Sequence, residues 1–478
     1  MKPKSTIYYI AILTIITYTS CKKFLEIPAP VTSINTENVY QYDNTAAAVV
    51  TGIYAQMMFN DFNSGGITSI SFLQELAADN LVLADINQAE FLNIWRNGLG
   101  PDYTSSRSTG NYMTNLYPRI YTINAALDGI NKSQSLTMQV KNRLLGELYF
   151  LRAFYYFYLV NIFGDIPIVL TTDYTTNSVI SRSPSSAVYK QILSDLQSSK
   201  SLLDDNYVDG TILTSTTERI RPNRSAALGM LSRVQLYMKN FSEAEAAATE
   251  VINKQSTYSL IGLDSVFKKN SKETIWALQP TKTGFNTDEA NTFILTSAPG
   301  PGSSRIVYAS PSLVNSFERD DKRLSKWMGN IASGTQNFPF FAKYKALANS
   351  GSITEYCIVL RLSELYLIRS EARMELNNIS GSLEDLNIIR SRAGLPTFTT
   401  STKQALRTAI FHERRVELFE EWGHRWFDLT RSGTMDESMQ NAEMYKGGVW
   451  ASYKSFYPIP NSEILRDKNL TQNPGYQN

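Results

Sequence analysis

The chain has 478 residues, of which 43% are apolar and 19% are charged. This length and apolar content allow a large core, so global disorder is excluded. Its 46 Lys and Arg against 44 Asp and Glu give a net charge of +2, which excludes the strongly basic surface of a nucleic-acid-binding protein. Two Cys and two His exclude a disulfide scaffold and a multi-Cys zinc site. No pattern predicts a metal or a cofactor.

The N-terminus predicts an exported, lipid-anchored protein. Two lysines precede a charge-free, mostly apolar stretch at 7–18, the length of a signal-peptide core and too short for a membrane span of ~20 residues. Tyr18-Thr19-Ser20-Cys21 then resembles a bacterial lipobox, with Tyr18 where Leu is common. We predict that residues 1–20 are a signal peptide and that Cys21 is acylated, for example with palmitate. The alternative is an incidental cysteine in a cleaved peptide.

Two stretches further along predict pairs of helices. Apolar residues recur at helical spacing over 226–237 and again over 362–376, and each stretch is followed by a short polar turn. Ser242 with Glu245, and Ser382 with Asp385, then predict capped second helices. Each unit spans roughly the 34 residues of a tetratricopeptide repeat.

Further helices complete this pattern. A third candidate first helix runs over 144–160, Ser183-Pro184 offers an N-cap, and Ser401 with Gln404 forms another capping box. Gly394 is expected to end the helix that follows Ser382. We predict a mainly α fold, a tetratricopeptide-like helical-repeat scaffold.

Three long stretches separate these helices: 60–109, 204–222 and 279–351. They are rich in Gly, Ser, Thr, Asn and Pro, and loops of this length in a compact protein are usually functional or disordered. We predict that they are irregular insertions forming a ligand-binding side. Strand-like runs at 273–278 and 292–296 are expected to pair within the third insertion.

The segment 413–431 concentrates charge but predicts a structural helix. Glu421, Arg425, Asp428 and Arg431 follow one another at helical spacings of three or four, so they are expected to pair along one helix. Gly423 would allow another backbone to approach. The two histidines are 12 residues apart, about 120° around a helix, which argues against a shared metal site.

Four motifs, in order, resemble the SusD/RagB family, and the start at Cys21-Lys22-Lys23-Phe24-Leu25 is typical of its mature N-terminus. The motifs are Glu147-x4-Arg152-Ala153-x2-Tyr156-x6-Phe163-Gly164-Asp165-Ile166-Pro167, Glu413-Arg414-Arg415-x-Glu417-Leu418-x4-Gly423-His424-Arg425-x2-Asp428-Leu429-x-Arg431, Pro458-Ile459-Pro460-x2-Glu463-Ile464 and Asn469-x2-Gln472-Asn473-Pro474-Gly475-Tyr476.

The resemblance implies a surface lipoprotein of the bacterial outer membrane that binds a nutrient, commonly a glycan. It also implies delivery of that nutrient to a SusC-like TonB-dependent outer-membrane barrel, and binding without catalysis. The mature chain would be 21–478, with an N-terminal part at about 21–225 and a C-terminal part at about 226–478, interleaved in one fold.

Aromatic rings in the insertions are the candidate glycan contacts. A ring face suits the C–H face of a sugar, and amide or guanidinium groups suit its hydroxyls. Packing that merely anchors the loops is the alternative for each ring. The candidate residues are Trp95, Arg96, Asn97, Tyr103, Tyr308, Trp327, Phe338 and Tyr344.

The residues leave two other functions open, a surface glycoside hydrolase and a protein-binding helical scaffold. Hydrolase, esterase, zinc-protease and nucleotide-binding motifs are absent from the sequence, although two of its 44 acids could meet as a glycosidase pair. A scaffold would leave the ring-rich insertions unexplained. Cys357 lies in an apolar run and is expected to be an inert buried thiol. The residues do not distinguish one glycan from another, or a glycan from a peptide.

Overall fold

The computed structural model describes residues 39–59, 62–103, 112–347 and 351–477. The predicted signal peptide and Cys21 lie outside them. The helices are α1 (Asp43–Met57), α2 (Ile70–Ala77), α3 (Ala89–Trp95), α4 (Tyr112–Lys132), α5 (Met138–Phe163), α6 (Tyr174–Asn177), α7 (Ser185–Leu202), α8 (Arg224–Tyr237), α9 (Phe241–Ile252), α10 (Glu289–Phe293), α11 (Pro311–Val314), α12 (Lys322–Trp327), α13 (Leu362–Glu375), α14 (Ile379–Arg392), α15 (Lys403–Leu418), α16 (His424–Ser432), α17 (Met435–Lys446) and α18 (Asn461–Arg466). The strands are β1 (Leu81–Leu83), β2 (Thr274–Leu278), β3 (Val307–Ala309), β4 (Met328–Ser333), β5 (Gln336–Phe341) and β6 (Cys357–Arg361).

A continuous stack of helices forms the scaffold, as the sequence predicted. In chain order α4, α5, α7, α8, α9 and α13 pack one against the next, and α14 and α15 close the row against α13. The centre of the stack is α5, which is buried along nearly its whole length because neighbouring helices enclose it. Its buried residues are mostly apolar and include the charged Arg143, Glu147 and Arg152. The mainly α, tetratricopeptide-like fold is therefore confirmed.

The two helix pairs are true structural repeats. Lys239 and Asn377 hold φ of 62° and 63°, and the following residues, Asn240 and Asn378, both hold φ of −85° and ψ of 73°. The second helix of each pair begins directly after this asparagine, so the predicted starts at Ser242 and Ser382 were wrong. The Asn378 side chain accepts the N-cap hydrogen bond from Gly381 N at 3.0 Å.

The other predicted boundaries differ by single residues. Helix α7 begins after Pro184, because Ser183 instead pairs with Ile166 in an isolated β-bridge. Helix α15 is capped by Thr402, whose hydroxyl accepts from Ala405 N at 3.3 Å. Gly394 has φ of 82° and lies just beyond α14, as predicted for a C-terminal glycine.

The insertions are more ordered than the sequence indicated. The first contains α2, β1 and α3, and the third contains α10 to α12 with β3 to β5; both predictions of irregular structure were therefore wrong. The second, at 204–222, contains only an isolated bridge. The run at 273–278 is strand β2, but it pairs with β6 and not with the run at 292–296 as predicted. The first two residues of the run at 292–296 are the last two residues of α10.

The predicted helix at 413–431 is two helices, α15 and α16. The chain turns between them through positive φ at Glu420, Trp422 and Gly423, where a Cβ on Gly423 would lie 2.8 Å from Gln74 Cβ of α2. A close approach at Gly423 therefore exists, but it is made by the Gln74 side chain and not by another backbone as predicted. Of the three predicted pairs only Arg431–Asp428 forms, at 2.7 Å.

The remaining charges of this segment pair with other elements. Arg425 Nε lies 2.7 Å from Asp79 Oδ1, and Glu421 contacts Lys343 and Arg361 at 2.5 and 2.6 Å. Spacing in the sequence predicts ion pairs only between residues of one helix. The ion pairs that form here instead connect the first and third insertions to the scaffold.

A buried carboxyl group lies beside the thiol of Cys357. As predicted, Cys357 is buried, and burial raises the pKa of its thiol. The neighbouring Glu289 is 2% exposed, and its Oε2 accepts a hydrogen bond from the Thr287 hydroxyl. Burial raises the pKa of Glu289 to about 7. In the unfolded chain a glutamic acid titrates near ~4.3, so the folded state holds this proton more tightly.

Glu289→Gln is therefore expected to stabilise the protein at pH 8 and to change little at pH 4. A raised carboxyl pKa contributes stability that is present below the unfolded pKa and is lost as pH rises through about 7. By pH 8 this loss is roughly 3 to 4 kcal/mol, and glutamine avoids it. Urea denaturation at both pH values measures the difference. The exposed control Glu243→Gln should change neither value. Equal effects of Glu289→Gln at pH 4 and pH 8 would contradict this mechanism.

Candidate functional site

The first and third insertions meet in a two-stranded antiparallel ribbon. Strand β1 pairs with β3, with Val82 opposite Tyr308. Leu81, Leu83, Val307 and Ala309 are buried, whereas Val82 and Tyr308 are partly exposed. Because side chains alternate along a strand, the ribbon buries one face and presents Tyr308 on the other. The structure thus joins two stretches from which the candidate ligand contacts were chosen.

Three of the candidate rings lie in the core, so they cannot form a sugar platform. Trp95 is 5% exposed and its indole N–H donates to Leu81 O at 3.2 Å. Trp327 is fully buried and donates to Leu263 O at 3.0 Å. The Tyr344 hydroxyl accepts from Ile358 N at 3.0 Å. Each ring packs apolar surface while its polar atom is paired with backbone, and the prediction that they bind ligand was wrong.

Tyr308 and Phe338 form a partly exposed ring pair. Their centroids are 5.3 Å apart at an interplanar angle of 86°, an edge-to-face contact of the favoured kind. Phe338 lies on β5 opposite Ile331 of β4, and Phe340 shares its face. A Cβ on Gly329 would lie 2.3 Å from the Phe340 ring, so glycine is required for this ring to cross the hairpin. We call the rings of Tyr308, Phe338 and Phe340 together the Tyr308–Phe338 surface.

Polar side chains lie close in sequence to the rings of the Tyr308–Phe338 surface. Arg305 precedes Tyr308 by three residues and is half-buried; its Nε donates to Ile294 O at 3.0 Å. Asn330 donates to Asn337 Oδ1 at 3.1 Å across the β4–β5 hairpin. Burial raises the pKa of the Tyr308 phenol, so its hydroxyl remains a donor at neutral pH.

The other candidates make contacts elsewhere. Arg96 Nε donates to Lys446 O at 3.0 Å, Asn97 Nδ2 donates to Ala77 O at 2.9 Å, and the Tyr103 hydroxyl donates to Pro458 O at 3.1 Å. Asn97 also holds a φ of 50°, a conformation that asparagine tolerates. The structure does not bring these residues to Tyr308 or Phe338; the contacts described anchor the first insertion.

Sequence reasoning missed a cleft of about 600 Å³ beside α4. Tyr117 and Tyr121 of α4 line it with Tyr174 of α6, and Glu463 and Arg466 of α18 form its polar edge. Tyr174 is 79% exposed and Tyr121 is 50% exposed. We call this the tyrosine cleft. The candidate rings were selected from the insertions alone, so rings on helices were missed. The available signal in the sequence was that α4 carries enough polar residues to have a face exposed to solvent.

Within the described parts of the chain, no three or more His, Cys, Asp or Glu side chains are arranged to hold a metal ion. In those same residues, no helix has the length and apolar character of a membrane span. His424 is buried, and burial followed by nearby arginines lowers its pKa well below the usual value. This neutral imidazole is a packing residue of α16.

Stacked helix pairs with ring-bearing insertions define the class of this fold, a helical-repeat protein. Comparison with known proteins identifies the family. A family model described as SusD family matches residues 313–476, and a model described as "Starch-binding associating with outer membrane" matches residues 25–236. The chain belongs to the SusD/RagB family.

The individual relatives are distant, and some of them are similar over the whole length of the chain. SusD-like protein P25 of Formosa agariphila is 25% identical and is aligned over 100% of both chains. Starch-binding protein SusD of Bacteroides thetaiotaomicron is 32% identical over 124 residues, 25% of this chain and 21% of that one. A solved laminarin-binding SusD-like protein superposes with a TM-score of 0.75 at 23% identity, covering 91% of this chain and 100% of its own.

Proposed function

We propose that this protein binds a glycan at the bacterial cell surface, with the Tyr308–Phe338 surface as a principal contact. The single observation behind this is the edge-to-face ring pair that stays partly exposed where two insertions meet. Family membership supports the same role, because relatives of this chain are named for starch and laminarin binding. The proposed role is capture without catalysis.

The chemistry of the surface fits a sugar. Aromatic faces pack against the C–H face of a pyranose ring, while phenol, amide and guanidinium groups can hydrogen-bond its hydroxyls. Phe338 and Phe340 supply apolar area, and Tyr308, Arg305 and Asn337 supply polar groups within the same segment. Affinity is expected to be micromolar to millimolar, or ~4 to 8 kcal/mol, because a capture protein must also release its ligand.

Phe338→Ala is expected to reduce glycan binding at least about tenfold, since one stacking ring contributes roughly 1.4 kcal/mol or more. Titration with a panel that includes laminarin and soluble starch measures the effect. Tyr174→Ala is the matched control, a single exposed ring removed from the tyrosine cleft. Loss of binding in Tyr174→Ala with normal binding in Phe338→Ala would place the ligand in the cleft and contradict the proposed site.

We further propose that residues 1–20 are removed, that Cys21 carries the lipid anchor on the outer membrane facing the exterior, and that a SusC-like TonB-dependent barrel receives the glycan. We also keep as a proposal the division of the mature chain into an N-terminal part that ends at about residue 225 and a C-terminal part that follows it. The net charge of +2 favours docking by shape and hydrogen bonds, because such contacts survive salt that screens ion pairs.

Detergent extraction of membranes from the native host is therefore expected to co-purify this protein with a large TonB-dependent barrel in salt well above physiological concentration. Mass spectrometry of the purified complex identifies the barrel and the acyl mass on Cys21. A membrane fraction that lacks the protein would refute the anchor, and a purified protein without any barrel would refute the partnership.

A further inference from the structure

A polar pocket of about 240 Å³ lies where α15, α16 and α17 approach the start of α11. It is separate from the tyrosine cleft and shares no residue with the Tyr308–Phe338 surface. Two arginines, Arg415 of α15 and Arg425 of α16, line its floor, and Asp79 is its only acidic lining residue. Arg415 and Arg425 are 12% and 14% exposed, so both guanidinium groups are largely desolvated yet reach the pocket.

The two guanidinium groups retain hydrogen-bonding capacity. Arg425 uses Nε and Nη2 on the Asp79 carboxylate at 2.7 and 2.8 Å. Arg415 uses Nε on Asn80 at 3.0 Å. Its Nη2 donates to Ser312 at 2.9 Å and lies 3.0 Å from Asp79 Oδ2. In the described part of the chain, the hydrogen bonds of Arg415 and Arg425 are made by Nε and Nη2, and none is made by Nη1 of either arginine. A guanidinium has five N–H donors, so the Nη1 groups are available to a ligand.

One face of α17 completes the pocket with neutral polar groups. Ser438, Asn441 and Tyr445 follow at spacings of three and four residues, and all three line the pocket, as residues on one helical face do. The Tyr445 hydroxyl donates to Asp79 O at 3.3 Å. Asn441 is exposed, so its amide stands at the mouth of the pocket.

The charge balance of the pocket favours an anion. Burial alone would raise the pKa of Asp79, but Arg415 and Arg425 outweigh it and hold the pKa well below its usual value. Among the lining residues, one carboxylate against two guanidinium groups leaves about one positive charge. The chain as a whole carries only +2, so this local charge does not come from a generally basic surface.

We propose that this pocket is an oxyanion-binding site that takes a carboxylate or sulfate group, held by Nη1 of Arg415 and Arg425 and by the polar face of α17. Guanidinium groups match planar carboxylate and tetrahedral sulfate oxygens through paired N–H donors. The oxyanion can be an acidic substituent of a glycan or a free inorganic anion, and both present the same chemistry. This proposal does not depend on glycan binding at Tyr308 and Phe338.

Isothermal titration of the mature chain with sodium sulfate tests the site, with ionic strength held constant by sodium chloride. We expect saturable binding in the millimolar range. Asn441→Asp places a carboxylate at the mouth of the pocket on an exposed position, so the fold is preserved while sulfate binding falls about tenfold or more through repulsion. Gln440→Glu adds the same charge on the neighbouring, exposed position outside the pocket and should leave binding unchanged.

No saturable sulfate binding, or equal weakening by Asn441→Asp and Gln440→Glu, would overturn the proposal. A second titration distinguishes the two sources. If trigalacturonate competes with sulfate in the wild type and this competition is lost in Asn441→Asp, the site takes the acid group of a glycan. If sulfate binds without such competition, the site takes a free inorganic anion.

Discussion

Glu417→Ala is expected to destabilise the protein by about 3 to 5 kcal/mol, the usual cost of removing one partner from a buried ion network. Glu417 is fully buried, and its carboxylate faces three guanidinium groups. Arg361 lies at 2.6 Å and Arg323 at 3.0 Å, and Arg392 completes the set. Alanine would leave all three cations without their shared counter-ion in a site where water does not reach.

The effect should reach the ligand surface as well as the scaffold. Arg323 lies on α12 and Arg361 on β6, while Lys343, just after β5, donates to Glu417 O at 2.8 Å. Glu417 therefore connects α15 to the third insertion, which carries Tyr308 and Phe338. Urea denaturation measures the loss, and the exposed substitution Glu384→Ala is the control, expected to change stability by less than about 0.5 kcal/mol. Similar stabilities for the two variants would contradict the assignment.

The pH dependence of this network has a defined sign. Burial alone would raise the pKa of Glu417, but Arg392, Arg361 and Arg323 outweigh burial and hold the pKa well below the usual value. A depressed carboxyl pKa contributes stability that is present above the unfolded value of ~4.3 and lost as pH falls towards the folded value. Acid unfolding of the wild type should therefore steepen below about pH 4, and this steepening should be reduced in Glu417→Ala.

The spacing of apolar residues predicted the helices of the scaffold well, because the buried positions of these helices recur every three to four residues. The pattern from Ala226 to Tyr237 and that from Leu362 onward both mark real first helices. The predicted second-helix starts at Ser242 and Ser382 failed for a physical reason. In each pair, a tight turn made of a residue with positive φ and an asparagine makes the second helix begin before the predicted serine. Ser382 therefore lies inside α14, where it exchanges hydrogen bonds with Ser370 of α13.

The ligand surface was harder to predict because exposure depends on neighbours far away in sequence. Tyr308 is partly exposed and Val307 buried only because β3 pairs with β1, more than 200 residues earlier. The charged pairs show the same limitation. Arg425 has Asp428 at helical spacing, yet it binds Asp79, and no local pattern reports this contact. The sequence shows which residues of the insertions are aromatic, but it does not show which of these rings are exposed to solvent and which are buried.

Trp95 provides the sharpest test of that distinction. Its ring is 5% exposed and packed in the main core, and its N–H is paired with Leu81 O. Trp95→Ala is therefore expected to cost about 3 to 5 kcal/mol, as removal of a buried large aromatic side chain does, and to leave an unpaired carbonyl on β1. A sequence-only interpretation expects the opposite, loss of glycan binding with stability nearly unchanged.

Phe338→Ala is the matched control because it also removes an aromatic ring from an insertion, and this ring is partly exposed. Unfolding in urea should show a large loss for Trp95→Ala and a small one for Phe338→Ala, while glycan titration below the unfolding range should show the reverse order. Trp95 also supports β1, and thus the strand opposite Tyr308, so a partial loss of affinity in Trp95→Ala is expected to accompany its instability. A Trp95→Ala protein of wild-type stability that no longer binds glycan would show that the ring is reached by ligand, and the burial argument would fail.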